Sequence, residues 1–378
     1  MTKRERPGKR RRVLFAGGAA AGSLLIAGLA AEVLLRFFYP QEYMSPRWRY
    51  SPEYGSVLDE NVTMVQARPG RWKYTYWINQ YGYRGPAVPV SDHYDRPNIV
   101  ALGDSYTFGH GVADGEEYPA VIKKELEGRY NVINLGVGGW GLTQEIRRYY
   151  DFGARYRPRV AILQFSANDP TDDLVNDVTR REGDRLVFAD KSREINVAKK
   201  YLSRSLVQRS QVYNLIRNRL YPFLEQAMIS RGQRSLSAAT AGEGENPPRG
   251  IPAAANPTRP DQGGTLVPPL PEKYYNDLLE LFARDLSRQG IKLIMIAVNN
   301  QLDQFPFIKA KVMELNAEGA LDYVEVAPWF AGVKDFGSPE GHFWGAKAHA
   351  IIGRGLAQHI NQLDHRDAKA PGASSATP

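Results

Sequence analysis

The sequence predicts an α/β protein, built on a parallel sheet with helices on both faces. Short and almost wholly apolar runs at Asn98–Leu102, Asn131–Leu135, Val160–Phe165 and Ile291–Val298 read as strands buried on both sides. Segments at Tyr118–Leu126, Thr143–Tyr156, Tyr274–Gln289 and Ala346–Ile360 carry apolar residues at helical spacing. The two kinds of segment alternate, which requires crossover connections and therefore parallel pairing.

At 378 residues, 43% of them apolar, the chain is long enough for one large domain with accessories. Its net charge of +8 is not a nucleic-acid signal. Seven cations (Lys3, Arg4, Arg6, Lys9, Arg10, Arg11 and Arg12) and Glu5 account for most of the excess within the first twelve residues. The absence of cysteine excludes disulfides, thiolate metal sites and a lipid-modified cysteine.

That basic flank, residues 1–12, precedes an uncharged run from Val13 to Ala31, close to the ~20 residues that span a bilayer core. Phe37, Phe38 and Tyr39 suit the far interface. The expectation is a transmembrane anchor over 13–39, basic side in the cytoplasm, with the rest on the periplasmic side of a bacterial inner membrane. A signal peptide cleaved near Ala30 is the alternative, and Arg11-Arg12 faintly resembles a twin-arginine signal; the apolar run exceeds the ~7 to 15 residues usual for a cleaved signal. Both readings export the domain.

Residues 40–96 read as a small β-rich lead-in, with Trp72, Tyr74, Tyr76 and Ile78 alternating with Lys73, Thr75 and Trp77. The α/β core is expected over 97–169 and 271–365, interrupted by an insertion at 170–270. Within the insertion, Val197–Ile229 predicts a long amphipathic helix, kinked or ended at Pro222, acting as a solvated lid rather than a lipid- or partner-binding element. Ser235–Pro271 and the tail over 366–378 are too poor in apolar residues to order themselves.

The strongest local signal is Gly103-Asp104-Ser105-Tyr106-Thr107-Phe108-Gly109 at the C-terminal end of the first buried strand. In an open parallel sheet this is the ligand-binding edge. A serine there exposes its hydroxyl and offers its own N–H to a developing oxyanion. A competing motif, Gly136-Val137-Gly138-Gly139-Trp140-Gly141, matches the dinucleotide fingerprint. The acid required about 20 residues on is missing: Tyr156 stands there, and Asp169 comes too late.

Taken in order, Ile99–Gly109, Asn134-Leu135-Gly136-Val137-Gly138-Gly139, Asn168-Asp169 and Gly341-His342-Phe343 resemble the four blocks of the SGNH (GDSL-like) hydrolase family. Ile78–Gly85 resembles the lead-in of exported bacterial members. The resemblance implies a flavodoxin-like three-layer sandwich and a serine esterase without cofactor or metal. Its implied nucleophile is Ser105, with His342 as base and an oxyanion hole formed by Ser105 N–H, Gly139 N–H and the Asn168 amide; Asp104 supports the serine.

Two departures stand out. Ser166 occupies the place where the third block usually has glycine. The aspartate expected two or three residues before the histidine is replaced by Glu340, with Pro339 beside it. Glu340 is therefore the nominated orienting acid and Asp335 the reserve. Of the six histidines, His93, His359 and His365 lie outside the blocks, His110 is close to Ser105 in sequence, and His349 is expected to pack or cap.

The resemblance leads to an expected acyl ester, with acetyl among the acyl groups, of an envelope or exported carbohydrate as substrate. Polysaccharide O-acetyl transfer would use the same residues. In a different class, a non-catalytic carbohydrate-binding or scaffold protein would have a decayed triad, with Trp72, Tyr74, Tyr76 and Trp77 as sugar-stacking or packing aromatics.

Overall fold

The computed structural model describes residues 9–46, 48–190, 209–241 and 267–369. The first helix, α1 (Lys9–Phe38), contains a 25-residue stretch, Leu14–Phe38, long and apolar enough to cross a membrane, and none of it is buried against the protein. Strands β1 (Tyr43–Ser45), β2 (Val62–Arg68) and β3 (Trp72–Ile78) then form an antiparallel sheet in that order, with Val62 opposite Ile78 and Arg68 opposite Trp72. The period-2 pattern of β3 buries Tyr76 and Ile78 and leaves Trp77 45% exposed.

The main sheet follows. Its elements are β4 (Asn98–Leu102), α2 (Ser105–Phe108), α3 (Tyr118–Glu125), β5 (Asn131–Asn134), α4 (Leu142–Asp151), β6 (Val160–Phe165) and α5 (Asp169–Val175). A hairpin of β7 (Thr179–Glu182) and β8 (Arg185–Phe188) leads to α6 (Gln211–Ala241) and α7 (Leu270–Arg288). The chain closes with β9 (Lys292–Ala297), α8 (Pro306–Ala317), β10 (Asp322–Tyr323) and α9 (Ala346–Lys369). The sheet order β5-β4-β6-β9-β10, all parallel, is the flavodoxin-like doubly wound order. The chain reverses its winding between β4 and β6, so the crevice lies above their C-terminal ends.

Alternate residues of each strand serve opposite faces, which explains the continuous apolar runs. Val100, Leu102, Ala161, Leu163 and Met295 pack with Ile146, Tyr149, Leu278, Phe282 and Val312 of α4, α7 and α8. Ile99, Ala101, Ile162 and Ile294 pack with Ile122 of α3 and Ile352 and Leu356 of α9. Each such side chain contributes about 1.5–3 kcal/mol over leaving it exposed. A third cluster, including Met44, Met64, Tyr76, Phe108 and Trp140, fastens the small sheet to the crevice loops.

Several boundaries differ from those the sequence predicts. The helix expected over Thr143–Tyr156 stops at Asp151 and resumes as a 3-10 turn at Gly153–Tyr156. The β7–β8 hairpin was not anticipated. With α5 it lies inside the expected insertion and packs into the domain, with Leu174 and Val178 buried and Thr179 O accepting from Tyr274 Oη at 2.6 Å.

Helix α6 begins at Gln211 and runs through Pro222 to Ala241, so neither the break at Pro222 nor the unstructured start at Ser235 is found. A proline removes one rung of the ladder. Gln211 and Asn214 are buried on one side of it and Ile229 packs on the core on the other, so both halves of the helix are held by contacts. Residues 197–208 of the expected helix, 242–266 of the expected loop and 370–378 of the tail lie outside the described residues. Helix α9 extends to Lys369, past the start expected for that tail.

Candidate active site

The crevice is assembled from the ends of β4, β6 and the loop before α9. At the end of β4 a Cβ on Gly103 would lie 2.1 Å from Thr107 Oγ1 and 2.6 Å from Gln164 Oε1, so only glycine lets the chain turn into α2 here. Asp104 caps that turn by accepting the Tyr106 N–H at 2.9 Å. Ser105 becomes the first residue of α2, where its N–H has no intrahelical acceptor.

The loop after α2 is held from below by the lead-in. Arg84, with a fully buried side chain, donates to the carbonyls of Phe108 (3.0 Å), Gly109 (2.5 Å) and Val112 (2.9 Å) and to Asp114 Oδ1 (2.9 Å), and lies 3.5 Å from Glu117. Its guanidinium also sits 4.6 Å from the Tyr76 ring centroid, and Gly111 N–H donates to Tyr76 Oη at 3.0 Å. The lead-in segment that resembled exported members thus supports the serine's loop.

From the far end of the chain, His342 brings Nε2 to 3.0 Å from Ser105 Oγ. Its Nδ1 lies 2.8 Å from Glu340 Oε2 and 2.6 Å from Oε1. Tyr106 packs edge-on against the imidazole with centroids 5.2 Å apart, and Trp344 braces Tyr106 at the same distance. Burial draws the His342 pKa down, but the Glu340 hydrogen bond and charge, with Asp104 and Glu42 behind it, outweigh burial and leave it raised. Glu340 is the carboxylate that meets the ring; Asp335 is exposed.

His110 sits edge-on to His342 with centroids 5.5 Å apart and is buried, which lowers its pKa well below the ordinary value and keeps it neutral. Sequence position alone did not reveal this. His349 stacks on Tyr118 and accepts the Tyr118 N–H at 3.1 Å, a capping role at the start of α3.

Asn168 lies at the end of β6, as expected, and Gly139 is exposed on the loop after β5. The Asn168 amide is turned within the protein: Nδ2 donates to Asp172 Oδ2 at 2.7 Å and reaches Asp104 Oδ2 at 3.3 Å. Ser166, in the family's glycine position, places Oγ 2.8 Å from Asp104 Oδ2, 2.7 Å from Asn168 Oδ1 and 2.8 Å from Asp169 Oδ1. Burial raises the carboxyls of Asp104 and Asp169, and also those of Glu145 and Asp173 beneath them. This acidic floor is not visible in the sequence because its members come from the turn after β4, from α4 and from α5.

Beside the His342–Ser105 pair lies a cleft of about 410 Å³ whose walls include Met44, Trp48 and Gln66 of the lead-in and Arg217 of α6. The arrangement has a hydroxyl beside an imidazole beside a carboxylate, with the serine's own N–H at the start of α2. It is chemically suited to opening an acyl bond.

This fold, with that series at its switch point, defines the class: the chain is a carboxylic ester hydrolase. Residues 101–253 match the model of the GDSL-like lipase/acylhydrolase family. No curated protein matches the sequence. Among solved structures it is similar to the psychrotrophic esterase EstA from Pseudoalteromonas sp. (11% identity, 71% of this chain and 98% of that one, TM-score 0.39). It is also similar to a carbohydrate acetylesterase from Sinorhizobium meliloti (8%, 71% and 100%, 0.35). A third is a catalytic mutant of an acetylxylan esterase from Geobacillus stearothermophilus (11%, 70% and 94%, 0.37).

Proposed function

We propose that the chain hydrolyses acyl, above all acetyl, esters of an envelope or exported carbohydrate through an acyl-Ser105 intermediate. The observation that carries this reading is the 3.0 Å contact of His342 Nε2 with Ser105 Oγ, backed by Glu340 on Nδ1. His342 takes the Ser105 proton as Oγ attacks the ester carbonyl. The Ser105 and Gly139 N–H groups, joined by the Asn168 amide once it turns from Asp172, receive the oxyanion. His342 then gives its proton to the departing alcohol, and the same imidazole activates water to free the acid and restore Ser105. Glu340 holds the ring and balances its charge.

The carbohydrate reading draws support from the cleft wall, which includes the aromatic Trp48 and the cationic Arg217. The anchor reading, with the domain outside the cytoplasmic membrane, draws support from the length and apolarity of α1 and from the cations at its start.

Labelling with a fluorophosphonate tests the nucleophile. The wild-type chain is expected to label and Ser105→Ala to remain unlabelled. An unlabelled wild-type chain would favour the scaffold reading. Release of acetate from acetylated glycans, compared with an acetylated simple alcohol, tests the substrate class.

A further inference from the structure

Helix α6 carries a row of bulky apolar residues that no part of the described protein covers. Ile216, Leu220, Phe223 and Leu224 recur at i, i+4, i+7 and i+8, one stripe of a helix, and are 52–76% exposed. Outside α1, no other described element exposes more than one large apolar side chain to this degree. We propose that α6 is a second membrane-contacting element, its stripe lying in the interface of the bilayer that α1 spans. This rests on the reading of α1 as a retained anchor.

The start of α6 is joined to the membrane helix itself. Glu32 of α1 accepts from Ser210 Oγ at 2.8 Å, Gln211 N–H at 2.9 Å and Val212 N–H at 3.1 Å. Glu32 lies inside the apolar stretch Leu14–Phe38, about 9 Å before its end at ~1.5 Å per residue. That stretch is about 37 Å long against a hydrocarbon core of roughly 30 Å, so with the stretch centred Glu32 falls about 5 Å inside the core boundary. The contact therefore ties the beginning of α6 to the outer part of the bilayer, and Leu29, Val33 and Phe37 of α1 are exposed as the stripe is. Arg219 and Arg234 on the same helix are exposed and suit anionic headgroups. Because Arg217 lines the cleft, α6 would hold the cleft close to the membrane surface rather than act as a solvated lid.

The chain has no cysteine, so single nitroxide labels are simple to install. The full chain, one copy per nanodisc containing phosphatidylglycerol, would be labelled in turn at Leu29→Cys, Leu220→Cys, Phe223→Cys and Asn218→Cys. Collision with oxygen and with a water-soluble nickel chelate would then be compared. Labels at 29, 220 and 223 are expected to shift toward oxygen, and the label at 218 toward the chelate. With the label at 29 in lipid, a label at 223 as open to the chelate as that at 218 overturns the proposal. So does one closed to both reagents, which would mean that protein covers the stripe. A label at 29 open to the chelate overturns the anchor reading and the proposal with it.

Discussion

The side chains of Ser338 and Glu340 meet at 2.7 Å, and this contact lets a glutamate only two residues before His342 reach its ring. Ser338 Oγ also accepts the His342 N–H at 3.1 Å, while Ser338 N–H donates to His342 O at 2.9 Å. The chain from 338 to 342 is thus a closed turn that folds the extra methylene of Glu340 back toward Nδ1. Glu340→Gln keeps the shape and removes the charge. kcat at neutral pH is expected to fall on the order of 10³ to 10⁴-fold, because the amide favours the wrong tautomer and leaves the imidazolium unbalanced.

The same substitution predicts a shift in the pH profile. Only neutral His342 accepts the serine proton, so activity is lost as pH falls through the pKa of the imidazole. Glu340 holds that pKa above its ordinary value against burial, placing the acid limb of kcat/KM above about 6.5 in the wild-type enzyme. In Glu340→Gln burial acts without that opposition, and the limb moves to lower pH. An unmoved limb would show that Glu340 does not govern the titrating base.

A Cβ at Gly111, whose φ is +75°, would stand 2.2 Å from Glu340 Oε1 and 2.8 Å from Ser338 Cβ. Gly111→Ala is therefore expected to push Glu340 off Nδ1, lowering kcat about as much as Glu340→Gln. It also costs about 1–3 kcal/mol of stability through the left-handed backbone. Stopped assays alongside thermal melts separate the two effects.

Arg84→Met tests the lead-in as a support. Its buried guanidinium serves three carbonyls and neighbours Asp114 and the buried Glu117. Removing one partner of such a group costs about 3–5 kcal/mol. Denaturant unfolding should register that loss. Arg84→Lys should retain part of the stability but not the fork geometry, with slower fluorophosphonate labelling of Ser105.

What was legible in the sequence follows physical range. The β4 strand and Ser105 lie within one local pattern, five buried residues ending in Gly-Asp-Ser, and His342 followed from the order of the blocks. The hairpin of β7 and β8 was also written locally, as Gly183-Asp184 between Glu182 and Arg185, a two-residue loop signal that went unread. His110 beside His342, Arg84 under Phe108 and the carboxyls around Ser166 depend on contacts between distant segments, for which periodicity carries no information. Pro222 misled because a local penalty was taken to decide a helix that packing holds on both sides.

The acidic floor predicts an unusual dependence of stability on pH. Burial raises Asp173 to about 8, and its Oδ2 has no hydrogen-bond partner among the described residues, while Oδ1 accepts the Thr143 N–H at 2.8 Å. Unfolded, an aspartate titrates near 3.9, so between about pH 4 and 8 the folded chain binds a proton that the unfolded chain releases. Stability therefore falls as pH rises through that window, by about 1.4 kcal/mol per unit for each such group, the opposite of a salt-bridged carboxylate. Glu145 and Asp169, raised in the same direction by burial and by their acidic neighbours, steepen the slope. Asp173→Asn keeps the acceptor for Thr143 and cannot ionise. It is expected to melt higher than wild type at pH 8 and to show a shallower decline from pH 5 to 8. Equal slopes for the two proteins would mean that Asp173 is already ionised in the folded state.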